Sequence, residues 1–107
     1  VGTPPYMSPE RLGEHNSDQL KKSDIWALGV IAYEMFSGKR CFEGDSQKEV
    51  FRAILNGTWK WKEDRLPSEN MMDFVSQCLN MDYKQRLCAK DAMNHSWFDD
   101  MKIIKEE

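Results

Sequence analysis

Two adjoining features of the sequence constrain the fold most: a proline-rich opening and the apolar run that follows it. Pro4, Pro5 and Pro9 fix three backbone φ angles and remove three N–H donors, which excludes a helix interior or a central strand there. From Ile25 to Tyr33 the chain carries no charged residue. A helix that is apolar on nearly every side must be covered on nearly every side. The sequence therefore predicts a rigid loop that leads into a buried central helix.

The bounds of this central helix are predicted from its end signals. Ser23 is a suitable N-cap, Asp24 follows it in the first turn, and Gly38 is a suitable C-terminal glycine. We therefore predict a helix over about residues 23–37. The polar stretch 13–22 before it is predicted to be an exposed, mobile loop.

Three further helices are predicted in the second part of the chain. Ser46 and Glu49 form a capping box, Gly57 is a stop signal, and Ser68 follows a proline. Cys88 stands at the start of the last helix, where a thiol is a poor cap. No strand pair is evident, so the sequence predicts an all-α fold in which the central helix is joined by helices over about residues 47–56, 69–80 and 89–95.

Composition argues against several classes of partner. The net charge is −3 and the basic residues are scattered, so neither nucleic acid nor a membrane surface is predicted as a partner. The longest apolar run is too short to cross a bilayer. The three cysteines lack metal-ligand spacing, so we expect no metal site, free thiols and a cytoplasmic location.

Two motifs and a distant arginine occur in a diagnostic order. The motif GT-x-x-Y-x-(A or S)-PE is formed by Gly2, Thr3, Tyr6, Ser8, Pro9 and Glu10, and the motif D-x-W-x-x-G by Asp24, Trp26 and Gly29, with Arg86 further on. The chain thereby resembles the end of the activation segment and the central helix of eukaryotic protein kinases. The resemblance covers residues 1–98, which it assigns to the second half of the kinase large lobe, and leaves 99–107 as a C-terminal extension.

The resemblance also points to a subgroup. GTPPY with SPE looks specific for serine and threonine, and NHSWF at residues 94–98 is similar to calcium/calmodulin-dependent and calcium-dependent kinases. The opening YMSPERL also resembles MAP-kinase-kinases and NIMA-related kinases. We expect a segment of a serine/threonine kinase that positions a protein hydroxyl for phosphoryl transfer from Mg-ATP.

Five residues match substrate-facing positions of the family. Thr3 would support the catalytic loop, or else satisfy a turn. Pro4 and Met7 would line the pocket for the residue after the phosphoacceptor, or else pack within their own loop. Tyr6 and Glu34 would recognise an arginine upstream of the phosphoacceptor, while the alternative for Glu34 is simple exposure at a helix end.

Five other residues match positions that hold the family's large lobe together. Glu10 and Arg86 are expected to form a buried, bidentate ion pair. Asp24 would accept backbone N–H groups of the catalytic loop, or else be a solvated acid in the first helical turn. Trp26 and Gly29 complete the central-helix motif.

One departure from the family concerns the loop after the central helix. Where many relatives carry aromatic and proline residues before a phenylalanine, this chain has Lys39, Arg40 and Cys41 before Phe42. The change predicts a preference for acidic or apolar substrate residues nearby.

The nucleotide-binding motifs of the family do not occur in these residues. No DFG, HRD or GxGxxG is present, and phosphoryl transfer needs all three elements. The 107 residues alone are therefore predicted to be inactive, and ATP, Mg²⁺ and the catalytic loop are expected from an N-terminal part of the kinase domain. The alternative function is that of a non-catalytic pseudokinase or protein-interaction fragment.

Overall fold

The fold is helical, as the sequence predicts. The computed structural model describes residues 7–9, 17–62 and 64–100. Within these residues the chain forms no strand, and its helices include α1 (Ser17–Ser37), α2 (Gln47–Asn56), α3 (Glu69–Cys78) and α4 (Ala89–Met93), while residues 96–100 are also helical. None of these helices is long and apolar enough to span a membrane.

Helix α1 begins at Ser17, so the predicted start at Ser23 is wrong and residues 17–22 are helical rather than loop. Ser23 lies inside the helix, where it is buried and its Oγ is 2.7 Å from the Oγ of Ser8. The N-terminal extension has local support, because Asp18 occupies the first turn, where an acid favours the helix dipole. It also has tertiary support, since Lys22 donates its Nζ proton to the Arg86 carbonyl.

The core is built on one side of α1. Trp26, Val30 and Tyr33 are completely or almost completely buried there. Helix α3 packs against this side. It approaches so closely that a Cβ on Gly29 would lie 2.6 Å from the Cβ of Cys78.

Local capping explains why α2 has the bounds that the sequence predicts. The Ser46 hydroxyl accepts a hydrogen bond from the Glu49 N–H at 3.2 Å, and the Glu49 carboxylate accepts one from the Asp45 N–H at 2.5 Å. Gly57 ends the helix with a left-handed φ of 62°. Gly38 ends α1 in the same conformation, with φ at 71°, which confirms both glycine stop signals.

Helices α3 and α4 begin at the predicted residues but are each two residues shorter than predicted. Ser68 caps α3 by accepting from the Met71 N–H at 3.2 Å. The helix stops early because Asn80 turns the chain, its side-chain oxygen accepting from the Asp82 N–H at 3.0 Å. Cys88 makes no side-chain cap, as expected of a thiol, and Asn94 closes α4 by donating to the Lys90 carbonyl at 3.0 Å.

The other side of α1 remains uncovered by the described residues. Leu28, Ile31 and Met35 follow one another at helical spacing and are 38%, 45% and 82% exposed. The expected cover on every side is thus absent from the part of the chain that the structure describes. Exposed apolar stripes of this kind bind other apolar surfaces.

We expect the 107-residue chain to bind the dye 8-anilinonaphthalene-1-sulfonate through this stripe. Replacing Leu28, Ile31 and Met35 together by glutamine should remove most of the dye fluorescence. Leu66→Gln is the matched control, because Leu66 is 59% exposed and lies outside α1. A monomeric chain with a sharp cooperative melt and no dye binding contradicts this prediction.

Candidate functional site

Arg86 is the centre of the site, and it is almost entirely buried. Its Nε donates to the Asn80 carbonyl at 3.1 Å, and its Nη1 donates to the Lys22 carbonyl at 2.9 Å. Lys22 in turn donates to the Arg86 carbonyl. Arg86 therefore ties the α3–α4 loop to the N-terminal half of α1.

Trp26 extends this contact to the loop after α1. The guanidinium carbon of Arg86 lies 5.0 Å from the centroid of the Trp26 ring. The Phe42 ring stacks on the Trp26 ring, with the two centroids 5.5 Å apart and an interplanar angle of 11°. A cation over an indole is a favourable contact. The indole N–H is buried and has no hydrogen-bond partner among the described residues. Trp26 thus joins α1, the residues after it and the Arg86 loop in one packed unit.

Ser8 connects the proline-rich opening to this unit. It is 1% exposed, and its hydroxyl is 2.7 Å from that of Ser23 on α1. The sequence pattern did not predict this contact, although Ser8 is itself a motif residue and Ser23 directly precedes the motif residue Asp24. Met7, predicted to line the substrate pocket, is half-buried beside it.

Asp24 lies on the exposed side of α1. It lines a cleft of about 510 Å³ between the N-terminal half of α1 and residues 83–89, together with Lys21 and Lys84. Because α1 starts at Ser17, Asp24 lies in the second turn, and the reading of it as a first-turn acid is wrong. Its predicted contact with a catalytic loop stays a prediction.

Glu34 secures the residues that follow α1. It is half-buried, and its Oε2 accepts a hydrogen bond from the Cys41 N–H at 3.3 Å. Simple exposure at a helix end therefore does not describe it. Burial, and secondarily the Glu34 charge, raise the pKa of the Cys41 thiol to about 12, so this thiol stays neutral. The predicted role of Glu34 in recognising arginine remains a prediction.

The remaining predicted site residues are Thr3, Pro4, Tyr6 and Glu10, and they lie outside the described residues. Their substrate-facing roles and the Glu10–Arg86 ion pair stay predictions. Among the residues that the structure does describe, no cluster of three or more potential metal ligands occurs.

The buried arginine, the motif tryptophan and the helix order define a kinase-type large lobe, and the family comparison agrees. The model of the protein kinase domain matches residues 1–98. The chain belongs to the protein kinase domain family.

Curated relatives narrow the similarity to serine/threonine kinases. The chain is 36% identical to myosin light chain kinase 2 of Mus musculus over 94% of its length, which is 16% of that protein. It is 38% identical to calcium-dependent protein kinase 16 of Oryza sativa subsp. japonica, over 95% of the chain and 18% of the relative. The human serine/threonine-protein kinase H1 is 37% identical over 90% of the chain and 23% of the relative. The chain thus spans less than a quarter of the length of these relatives.

A solved structure supports the fold. The twitchin kinase region from C. elegans superposes with a TM-score of 0.80 and 26% identity, over 87% of this chain and 16% of that one. The helices described above are therefore those of a kinase large lobe.

Proposed function

We propose that this chain is the substrate-binding half of a serine/threonine kinase catalytic domain, which holds a protein hydroxyl in place for phosphoryl transfer from Mg-ATP. One observation carries the proposal. Arg86 and Trp26 lock α1 against the α3–α4 loop, and the Ser8–Ser23 contact fastens the end of the opening segment to the same unit. A surface held in this way costs little entropy when a peptide docks on it.

Each of the substrate-facing residues has a proposed role on the surface that these contacts hold in place. Pro4 and Met7 form an apolar floor for the residue after the phosphoacceptor. Tyr6 and Glu34 accept an upstream arginine, and Thr3 supports the catalytic loop. Glu34 keeps one oxygen on the Cys41 N–H, which leaves the other oxygen for a substrate cation.

Nucleotide chemistry belongs to the other half of the domain. The sequence carries no glycine-rich phosphate loop and no HRD or DFG motif, so its own residues do not fit ATP or Mg²⁺. We therefore propose that the 107 residues are inactive alone and act with an N-terminal kinase half. The free thiols of Cys41, Cys78 and Cys88 support a cytoplasmic setting, where thiols stay reduced.

A chimeric kinase tests the proposal. Residues 1–98 replace the matching segment of mouse myosin light chain kinase 2, whose remaining sequence supplies the nucleotide site. We expect the chimera to phosphorylate serine or threonine peptides with Mg-ATP, because the segment reproduces the family's substrate floor. The measurement is transfer of labelled phosphate to a peptide library.

The matched control is the same graft made with the corresponding segment of the rice calcium-dependent protein kinase 16. Both segments differ from the host, so the control reports the cost of grafting itself. An active control beside a folded but inactive chimera contradicts the proposal and favours the non-catalytic interaction fragment.

A further inference from the structure

A second cleft lies at the C-terminal end of α1, away from the Arg86 contacts. It has a volume of about 350 Å³ and is lined by Tyr33 of α1, by Cys41 and Glu43, by Ala53 of α2, and by residues 57–60 and Lys62. Tyr33, Ala53 and Trp59 supply apolar wall. None of the motif residues lines it.

The aromatic wall of this cleft is held in a fixed arrangement. The Tyr33 hydroxyl donates to the Lys60 carbonyl at 2.8 Å. The Tyr33 ring meets Trp59 edge to face, with the centroids 6.0 Å apart, and Trp61 packs against it at 4.9 Å. A ligand side chain can therefore enter without rearranging these rings, which favours binding.

Positive charge predominates at the rim, in a chain whose net charge is −3. Lys60 and Lys62 line the cleft, and Lys39 and Arg40 are exposed in the residues just before Cys41. The rim carboxylate of Glu43 is 3.9 Å from Lys62, a separation at which an exposed pair is weak.

Neither the thiol nor the phenol of the wall adds negative charge. Burial raises the pKa of Cys41 to about 12, and burial together with nearby acidic groups raises the pKa of Tyr33. Both groups are neutral near pH 7. The cleft thus combines an apolar aromatic interior with a cationic rim.

We propose that this cleft docks an acidic segment of the protein substrate, with an apolar or aromatic side chain against Ala53 and Trp59 and carboxylates on Lys60 and Lys62. Lys39 and Arg40 extend the cationic surface along the substrate. The proposal rests on the proposed function, because it assigns the docked segment to the substrate. It goes beyond that function by naming a second substrate contact, at residues outside the family's motifs, and the charge of the substrate segment that makes it.

The competing explanation is that these cations only stabilise the C-terminal end of α1 electrostatically, because the last turn of α1 contains no basic residue. Cations near a helix C-terminus are favourable for that reason alone. In that case an acidic peptide that contains an apolar residue would bind no more tightly than a purely acidic peptide. The aromatic residues of the cleft would then make no difference to peptide binding.

Binding to the full 107-residue chain tests the docking directly. The probe is a fluorescein-labelled peptide with one phenylalanine among aspartates, measured by fluorescence anisotropy. We expect Lys60→Glu/Lys62→Glu to weaken binding roughly tenfold, and added salt to weaken it for the unmodified chain. The control Lys84→Glu/Lys90→Glu makes the same charge change at residues outside this cleft and should alter binding less than about twofold.

Three results overturn the proposal: equal weakening by the two double variants, equal binding of a peptide with lysines in place of the aspartates, or equal binding after phenylalanine is replaced by serine. The chimeric kinase separates this failure from failure of the proposed function. An active chimera whose KM for acidic substrates is unchanged by Lys60→Glu/Lys62→Glu also overturns the docking site, while the kinase assignment stands. An inactive chimera beside an active control graft, together with a chain that binds the acidic peptide, overturns the proposed function and the description of the segment as substrate.

Discussion

Replacing Arg86 by leucine is expected to lower the free energy of unfolding of the chain by about 3–5 kcal/mol. The change removes two hydrogen bonds from a charged group, to the carbonyls of Asn80 and Lys22, each worth about 1.5–3 kcal/mol. It also removes the cation from the face of Trp26. The measurement is urea denaturation followed by tryptophan fluorescence. Because the loss is a large fraction of the roughly 5–15 kcal/mol that stabilises a folded domain, the leucine variant should unfold at a much lower urea concentration.

Two further variants keep this prediction testable if the leucine variant does not fold. Arg86→Lys retains the charge but not the planar fork, so we expect roughly half of the loss. Arg52→Leu is the control, since Arg52 is exposed on α2, and it should change the free energy of unfolding by less than about 0.5 kcal/mol. Equal stability of the Arg86 and Arg52 variants would mean that the buried arginine does not hold the two segments together.

The parts of the fold that depend on neighbouring residues could be predicted from the sequence. Helix α2 is an example, because its start is fixed by Ser46 and Glu49 and its end by Gly57, all within or next to the helix. The start of α3 at Ser68 follows the same logic. Capping is a short-range interaction, so the residues that determine it are visible in a short stretch of sequence.

The start of α1 could not be predicted in this way. Ser23 looks like an N-cap, but its hydroxyl is used by Ser8, 15 positions away in the sequence. Lys22 looks like part of a solvated loop, but its amine reaches the carbonyl of Arg86, 64 positions away. Contacts between such distant residues override local signals, and a single sequence does not reveal them.

The candidate site also contains some residues that the sequence identifies and others that only the structure reveals. The motifs identified Trp26, Gly29 and Arg86, and the structure buries all three. They did not identify Lys22 or Phe42, which complete the site through a carbonyl and a stacked ring. A motif records residue types at fixed spacings, whereas these two residues are defined only by what they contact.

Gly29→Ala is expected to destabilise the chain by about 2–3 kcal/mol, although alanine in a helix interior ordinarily stabilises by about 1 kcal/mol relative to glycine. The reason is that the new Cβ would lie 2.6 Å from the Cβ of Cys78 and 3.2 Å from a Leu79 methyl. A Cβ cannot rotate away, so α1 and α3 must separate. Urea denaturation again gives the magnitude.

The control for this variant is Gly38→Ala, which separates steric overlap from backbone strain. A Cβ on Gly38 meets nothing within 4 Å, but its φ is 71°, so we expect a loss of about 1 kcal/mol from the left-handed conformation alone. When Cys78→Gly is combined with Gly29→Ala, the total loss should be smaller than the sum of the two single losses, because the second change removes the clashing atom; such coupling is the signature of direct contact. If Gly29→Ala instead raised the stability, α1 and α3 would lie further apart in solution than the structure shows. The motif glycine would then have to be explained by something other than helix packing.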